Sequence, residues 1–236
     1  MLELGGSDPF IILDDADLDA AANVAADARL VNSGQSCIAA KRFIVVDAVA
    51  ERFIPKFVDQ LRSRRMGDPL ARETQIGPQA RVELRDELHR QVEESVKRGA
   101  QRLLGGELPR GTGAFYPATL LSAVDKGMPA FDEETFGPVA AVIRAKDETD
   151  AVRLANDSQF GLGAALWTRD HARAERLAAA IEAGAVFVNG LVKSDPRLPF
   201  GGIKQLGLRA RALGVRHPRV RQHQVRLDGL MSGVVA

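Results

Sequence analysis

Cys37 is the only cysteine in the 236-residue chain, and it closes the string Asn32-Ser33-Gly34-Gln35-Ser36-Cys37. A lone thiol makes no internal disulfide and lacks the companion thiols of a zinc or iron–sulfur centre. It is therefore either a small buried hydrophobe or a nucleophile. The flanking Gly, Ser and Gln describe a tight polar loop rather than an apolar stripe. Near the start of the chain, Glu3 stands in Leu2-Glu3-Leu4-Gly5-Gly6. A carboxylate between leucines is partly desolvated, which favours its neutral form and suits a proton acceptor working near neutral pH. A third segment, Glu133-Glu134-Thr135-Phe136-Gly137-Pro138, runs an acidic pair into an aromatic residue and a Gly-Pro turn. Taken singly, a strand end and a solvated turn account for the last two segments just as well.

In this order, the three segments resemble the catalytic half of the aldehyde dehydrogenase superfamily. Ile76-Gly77-Pro78, the run Asn156-Asp157-Ser158-Gln159-Phe160-Gly161-Leu162, and Pro199-Phe200-Gly201-Gly202-Ile203-Lys204 extend the likeness from Leu2 to about Gln205. The resemblance implies that Cys37, as thiolate, attacks an aldehyde carbonyl to give a thiohemiacetal. Backbone N–H groups near Cys37 and an asparagine from upstream sequence would hold the oxyanion. Hydride loss to NAD or NADP would leave a thioester on Cys37, and Glu3 would activate the water that hydrolyses it. By the same resemblance Glu134 holds the ribose of the nicotinamide half, Phe136 packs beside the cofactor, and Glu133 has no assigned part. Ser7, and the strings Leu4 to Phe10 and Lys193 to Phe200, are similar to bacterial succinate-semialdehyde dehydrogenase-like members. Val31, however, stands where some such enzymes carry an arginine.

Strands and helices alternate along the chain. Apolar runs at Pro9 to Leu13, Arg42 to Val46, Phe115 to Val124, Pro138 to Arg144, Leu162 to Thr168 and Ala185 to Asn189 read as strands. An alanine-rich helix is expected over Leu18 to Leu30, and a charged amphipathic one over Ala80 to Arg98. Asp47, Asp147 and Asp170 are placed to cap helices, the first carrying an apolar stripe of Phe53, Ile54, Phe57, Val58 and Leu61. The expected fold class is α/β: a largely parallel sheet flanked by helices, with most of the cofactor-binding domain missing. Trp167 is expected in the core, and His89 and His171 on helix surfaces with no metal-binding partners. Arg29 and Arg42 flank the Cys37 loop, and either orient an acidic substrate or serve the structure.

Thirty-two Lys and Arg balance 31 Asp and Glu, so no global field points to nucleic acid or a membrane. No apolar run is long enough to span a bilayer, no signal-peptide pattern opens the chain, and a single cysteine fits a reducing, cytoplasmic setting. No glycine-rich phosphate loop occurs; Gly161-Leu162-Gly163 lacks the third glycine and the helix-opening context. Residues 1–205 are thus expected to be a catalytic domain without most of its dinucleotide-binding partner, with doubtful activity alone. Residues 206–236 are Arg-rich and depart from the family's ending. One choice of codons for Leu206 to Asp228, read one base later, gives SGYGRELSGFGIREFVNIKSVW, which resembles that ending. The expectation is a frameshifted, poorly ordered tail and impaired homo-oligomer contacts. Two other functions remain open: a catalytically dead remnant or binding partner, and a cysteine esterase needing no nicotinamide.

Overall fold

A computed structural model describes residues 5–195 and 201–204. Glu3 and the tail 206–236 therefore lie outside the described residues, as do Pro199 and Phe200. Seven strands form one sheet: β1 (Pro9–Ile12), β2 (Arg42–Val46), β3 (Gln101–Leu104), β4 (Thr119–Ser122), β5 (Val139–Ala145), β6 (Gly163–Trp167) and β7 (Ala185–Val188). Their spatial order is β3-β4-β5-β2-β1-β6-β7, and every pair is parallel except β3 with β4. The central strands are buried on both faces, which explains why Phe10-Ile11-Ile12 and Phe43-Ile44-Val45 are continuous apolar runs without alternation.

Helices cover the faces: α1 (Leu18–Leu30), α2 (Asp47–Ser63), α3 (Val82–Lys97), α4 (Pro129–Asp132), α5 (Glu148–Asn156) and α6 (His171–Ala180). The alanines of α1 let it approach α2 closely, and the Asp17 carboxylate accepts the Ala20 N–H at its first turn. Phe53, Phe57 and Leu61 of α2 point inward, and Phe57 meets Phe43 with ring centroids 4.6 Å apart. Trp167 stacks on Phe10 at 5.8 Å, in the core as expected.

Several local expectations need correction. Asp47 does not cap α2; it lies within the first turn and accepts a hydrogen bond from the Arg144 guanidinium at 2.7 Å. Asp147 and Asp170 do cap α5 and α6, accepting from the N–H groups of Asp150 and Arg173. The run from Phe115 becomes a strand only at Thr119, because Pro117 offers no N–H to a ladder. β3 escapes the apolar pattern altogether: it is a largely exposed antiparallel edge strand carrying Gln101 and Arg102. His89 is not a free surface histidine either, since its ring is half-buried and Nδ1 lies 3.2 Å from the Tyr116 hydroxyl.

Candidate active site

Three of the motif segments lead directly into adjacent parallel strands. Gly5 to Asp8 precedes β1, Ser36 to Lys41 precedes β2, and Glu134 to Pro138 precedes β5. Because β5, β2 and β1 are neighbours with Pro9 beside Arg42 and Arg42 beside Ala141, these lead-ins emerge side by side at the amino ends of the strands. Segments more than a hundred residues apart are thereby held in contact.

The cysteine loop is sharply folded. Asn32, Ser33 and Gly34 take left-handed backbone angles in succession (φ 50°, 55° and 78°), and the Asn32 side-chain amide donates to the Gln35 carbonyl at 3.0 Å. The Asn and Gly of this run tolerate such angles, whereas at Ser33 surrounding contacts must hold them. Those contacts exist. The Ser33 hydroxyl accepts the Gly77 N–H at 2.9 Å, Gln35 accepts the Ala80 N–H at 2.8 Å, and Gln35 donates to the Pro78 carbonyl. The Ile76-Gly77-Pro78 match is therefore a strap over the cysteine loop. On the other side Gly34 abuts the Gly137–Pro138 backbone so tightly that an added methyl would overlap it. Cys37 itself is half-buried.

Gly6 packs on Cys37: a methyl group placed on Gly6 would stand 2.5 Å from the Cys37 carbonyl oxygen. Its N–H donates to Glu134 Oε1 at 3.0 Å. Gly5, with φ +93°, leaves the hollow that the other Glu134 oxygen fills. The structure thus brings Gly5–Gly6, Cys37 and Glu134 together. Phe136 stands at the rim with 40% of its surface exposed. Glu133 turns away to α3, where Gln91 donates to it at 2.9 Å and Arg90 at 3.2 Å, so the acidic pair divides its work.

A buried charge cluster lies beneath the loop, and the sequence reading missed it. Lys41 is buried, and its ammonium donates to the carbonyls of Ser36, Cys37 and Ala39 at 2.9, 3.0 and 3.0 Å. It also lies 3.5 Å from Glu134 Oε1. Burial and the nearby Arg29 charge push Lys41 down to about 8, opposed by Asp8, Glu134 and Cys37. Asp8 is equally buried; one oxygen accepts the Gly163 N–H at 3.0 Å and the other has no hydrogen-bond partner. Loss of solvent pushes its carboxyl up to about 7, against the lowering charges of Lys41 and Arg42. Only the spacing of Asp8 and Lys41 ahead of buried strands hints at this cluster, because both residue types ordinarily face water.

The two arginines resolve as structural. Arg29 is fully buried and donates to Gly34 O at 2.8 Å and Val139 O at 3.2 Å, tying α1 to the cysteine loop and β5. Arg42 spends its guanidinium on the carbonyls of Ser7, Leu154 and Ala155. Neither is presented to a ligand. The Asn156 to Leu162 match packs against the chain's later motif: Lys204 donates to the Asn156 and Ser158 carbonyls, and Gly161 O accepts the Ile203 N–H at 2.9 Å. Those two motifs brace one another. Among the described residues no group of three or more His, Cys, Asp or Glu is arranged to hold a metal, and no helix is long and apolar enough to cross a membrane.

Residues 1–217 match the model of the aldehyde dehydrogenase family. The chain is 52% identical over 207 residues to Sad, an NAD(P)+ succinate semialdehyde dehydrogenase of Escherichia coli (strain K12), covering 88% of this chain and 45% of that protein. A succinate-semialdehyde dehydrogenase from Burkholderia pseudomallei superposes with a TM-score of 0.85 at 37% identity, over 88% of this chain and 43% of the other. A succinic semialdehyde dehydrogenase from Streptococcus pyogenes, in complex with NADP+, gives 0.83 at 38% identity over 86% and 45%. The chain thus spans under half the length of the relatives it matches. A cysteine loop strapped between a Gly-Gly turn and a Glu-x-Phe-Gly-Pro turn, with the family match running through all three, places the chain in the aldehyde dehydrogenase family.

Proposed function

We propose that residues 1–205 form the catalytic unit of an NAD(P)-dependent oxidation of an aldehyde to a carboxylic acid, with Cys37 as nucleophile. Cys37 Sγ, as thiolate, adds to the carbonyl carbon, and the developing oxyanion is met by N–H groups of the loop around Cys37. The nicotinamide cofactor supplies the hydride acceptor that separates the thiohemiacetal from the thioester. Glu3 then takes a proton from the water that cleaves the thioester, returning Cys37 and releasing the acid. The one observation that carries this reading is the meeting of Gly5–Gly6, Cys37 and Glu134 at the heads of three adjacent strands. Gly6 touches the Cys37 backbone and donates to Glu134.

The residues present suit the nicotinamide end of the cofactor. Glu134 is a carboxylate acceptor for a ribose diol, cradled by Gly5 where a Cβ would otherwise stand, with 22% of its side chain exposed. Phe136 offers an exposed ring for packing. An aldehyde of the succinate-semialdehyde type is the proposed substrate, on the strength of the relatives' names. The reduced thiol it requires suits the cytoplasm. The test joins this chain to the upstream half of the Escherichia coli relative and follows nicotinamide reduction with succinate semialdehyde. Turnover that vanishes in Cys37→Ala is expected. A hybrid that folds and binds NADP yet turns over none of a set of short aldehydes overturns the proposal.

A further inference from the structure

Four residues beyond the nucleophile, Lys41 has no part in the chemistry outlined above. A buried lysine is costly, because burial strips its ammonium of water and the cost is recovered only by close partners. Here the partners are three carbonyls of one loop, those of Ser36, Cys37 and Ala39, so the ammonium acts as the hub around which the Cys37 turn is wound. Its charge is offset on one side by Glu134 at 3.5 Å. We propose that Lys41 is a positioning residue for Cys37: its buried ammonium fixes the loop through three carbonyls and supplies the positive charge that favours the thiolate.

The charged groups around Lys41 are Arg29 from α1, Asp8 from the lead-in to β1, Glu134 from the lead-in to β5, and Cys37 on its own loop. Arg29 repels it while the three acidic groups attract it, and Cys37 counts among the attractors. Attraction between two titrating groups is reciprocal, so what the thiolate does for the ammonium, the ammonium does for the thiolate. Cys37 is the weakest of the three attractions, and the geometry that carries the link is the ammonium's donation to the Cys37 carbonyl itself at 3.0 Å. The inference rests on Cys37 being the nucleophile, but the coupling itself needs neither cofactor nor substrate.

The experiment is the pH dependence of Cys37 alkylation by iodoacetamide on the full chain, read by mass spectrometry. Lys41→Gln keeps a hydrogen-bond donor and removes the charge; its alkylation midpoint is expected about one pH unit above the wild type, a loss of about tenfold in rate near neutral pH. Altered packing alone would change the plateau rate at high pH and leave the midpoint where it was. Should Lys41→Gln fail to fold, the reciprocal measurement stands in. The titration of Lys41, followed by NMR of 13C-labelled lysine and recognised by its depressed midpoint, is expected to move lower in Cys37→Ser. A midpoint indifferent to Lys41→Gln, or a Lys41 titration indifferent to Cys37→Ser, overturns the proposal. Absent turnover in the hybrid with this coupling intact would sink the reading of function alone, and the converse result would sink Lys41 alone.

Discussion

A single hydrogen atom separates a working Gly6 from a blocked one. Adding a methyl group there drives it to 2.5 Å from the Cys37 carbonyl oxygen, and both groups belong to backbone that cannot swing aside as a side chain would. Gly6→Ala is therefore expected to displace the cysteine loop, lengthen the Gly6 N–H contact to Glu134 and slow Cys37 alkylation at every pH by tenfold or so, the size of a roughly 1.4 kcal/mol penalty. An alkylation plateau equal to that of the wild type would show that the loop absorbs the methyl. At this scale the sequence discloses the groups with distinctive chemistry. Cys37 stands out as a lone thiol in polar company, and Glu134 through its aromatic and Gly-Pro neighbours. Asp8 and Lys41 do not stand out, because a charged residue reads as solvated until three-dimensional packing removes its water. Arg29 and Arg42 are legible only as two alternatives, and their carbonyl partners, some more than a hundred residues away, decide between them.

The elements are legible where burial imposes a pattern and illegible where it does not. β1, β2, β5, β6 and β7 are buried runs, α1 announces itself by its alanines, and α5 and α6 by their capping aspartates. The exposed edge strand β3 carries no such signature. What no local pattern conveys is the adjacency of β5, β2 and β1, which decides that three distant lead-ins share one site. Arg29 makes that adjacency mechanical, because it links the last turn of α1 to the cysteine loop at Gly34 and to the first residue of β5. Replacing it by methionine would leave two buried carbonyls without donors, each costing about 1–3 kcal/mol, while relieving a buried charge. Arg29→Met is expected to lower stability by about 2 kcal/mol net, seen as a lower urea midpoint with an unchanged slope. An unaltered midpoint would mean that the linkage between α1 and β5 is carried elsewhere.

Across the whole molecule the charge cluster under the loop couples folding to pH in an unusual direction. Asp8 titrates near 3.8 in an unfolded chain and is pushed up to about 7 by burial, so between those values the folded state binds the extra proton. Stability from this group is full at low pH and is lost as pH rises towards 7. Lys41 is pushed from 10.5 down to about 8, so between those values the unfolded state binds the extra proton, and stability is lost as pH falls through 8. The two effects leave a trough between about pH 7 and 8, where both groups are charged and buried. The carboxylates held down by arginines, among them Glu87 and Glu148, act in a different window, since their contribution is lost only on strong acidification. Urea unfolding at about pH 5 and about pH 7.5 is therefore expected to show the chain more stable at the lower pH. The difference should be on the order of 2 kcal/mol, since each pH unit over which the folded chain holds the extra proton contributes at most roughly 1.4 kcal/mol. Asp8→Asn retains an acceptor for the Gly163 N–H and removes the titration, so most of that difference should vanish in the variant. An Asp8→Asn protein with the same pH slope as the wild type would assign the trough to other groups and free Asp8 from the linkage. If the slope does flatten, the head of the sheet is tuned at the expense of global stability, because the pH range that weakens the fold is the one in which Lys41 and Asp8 both carry buried charge beneath the cysteine loop.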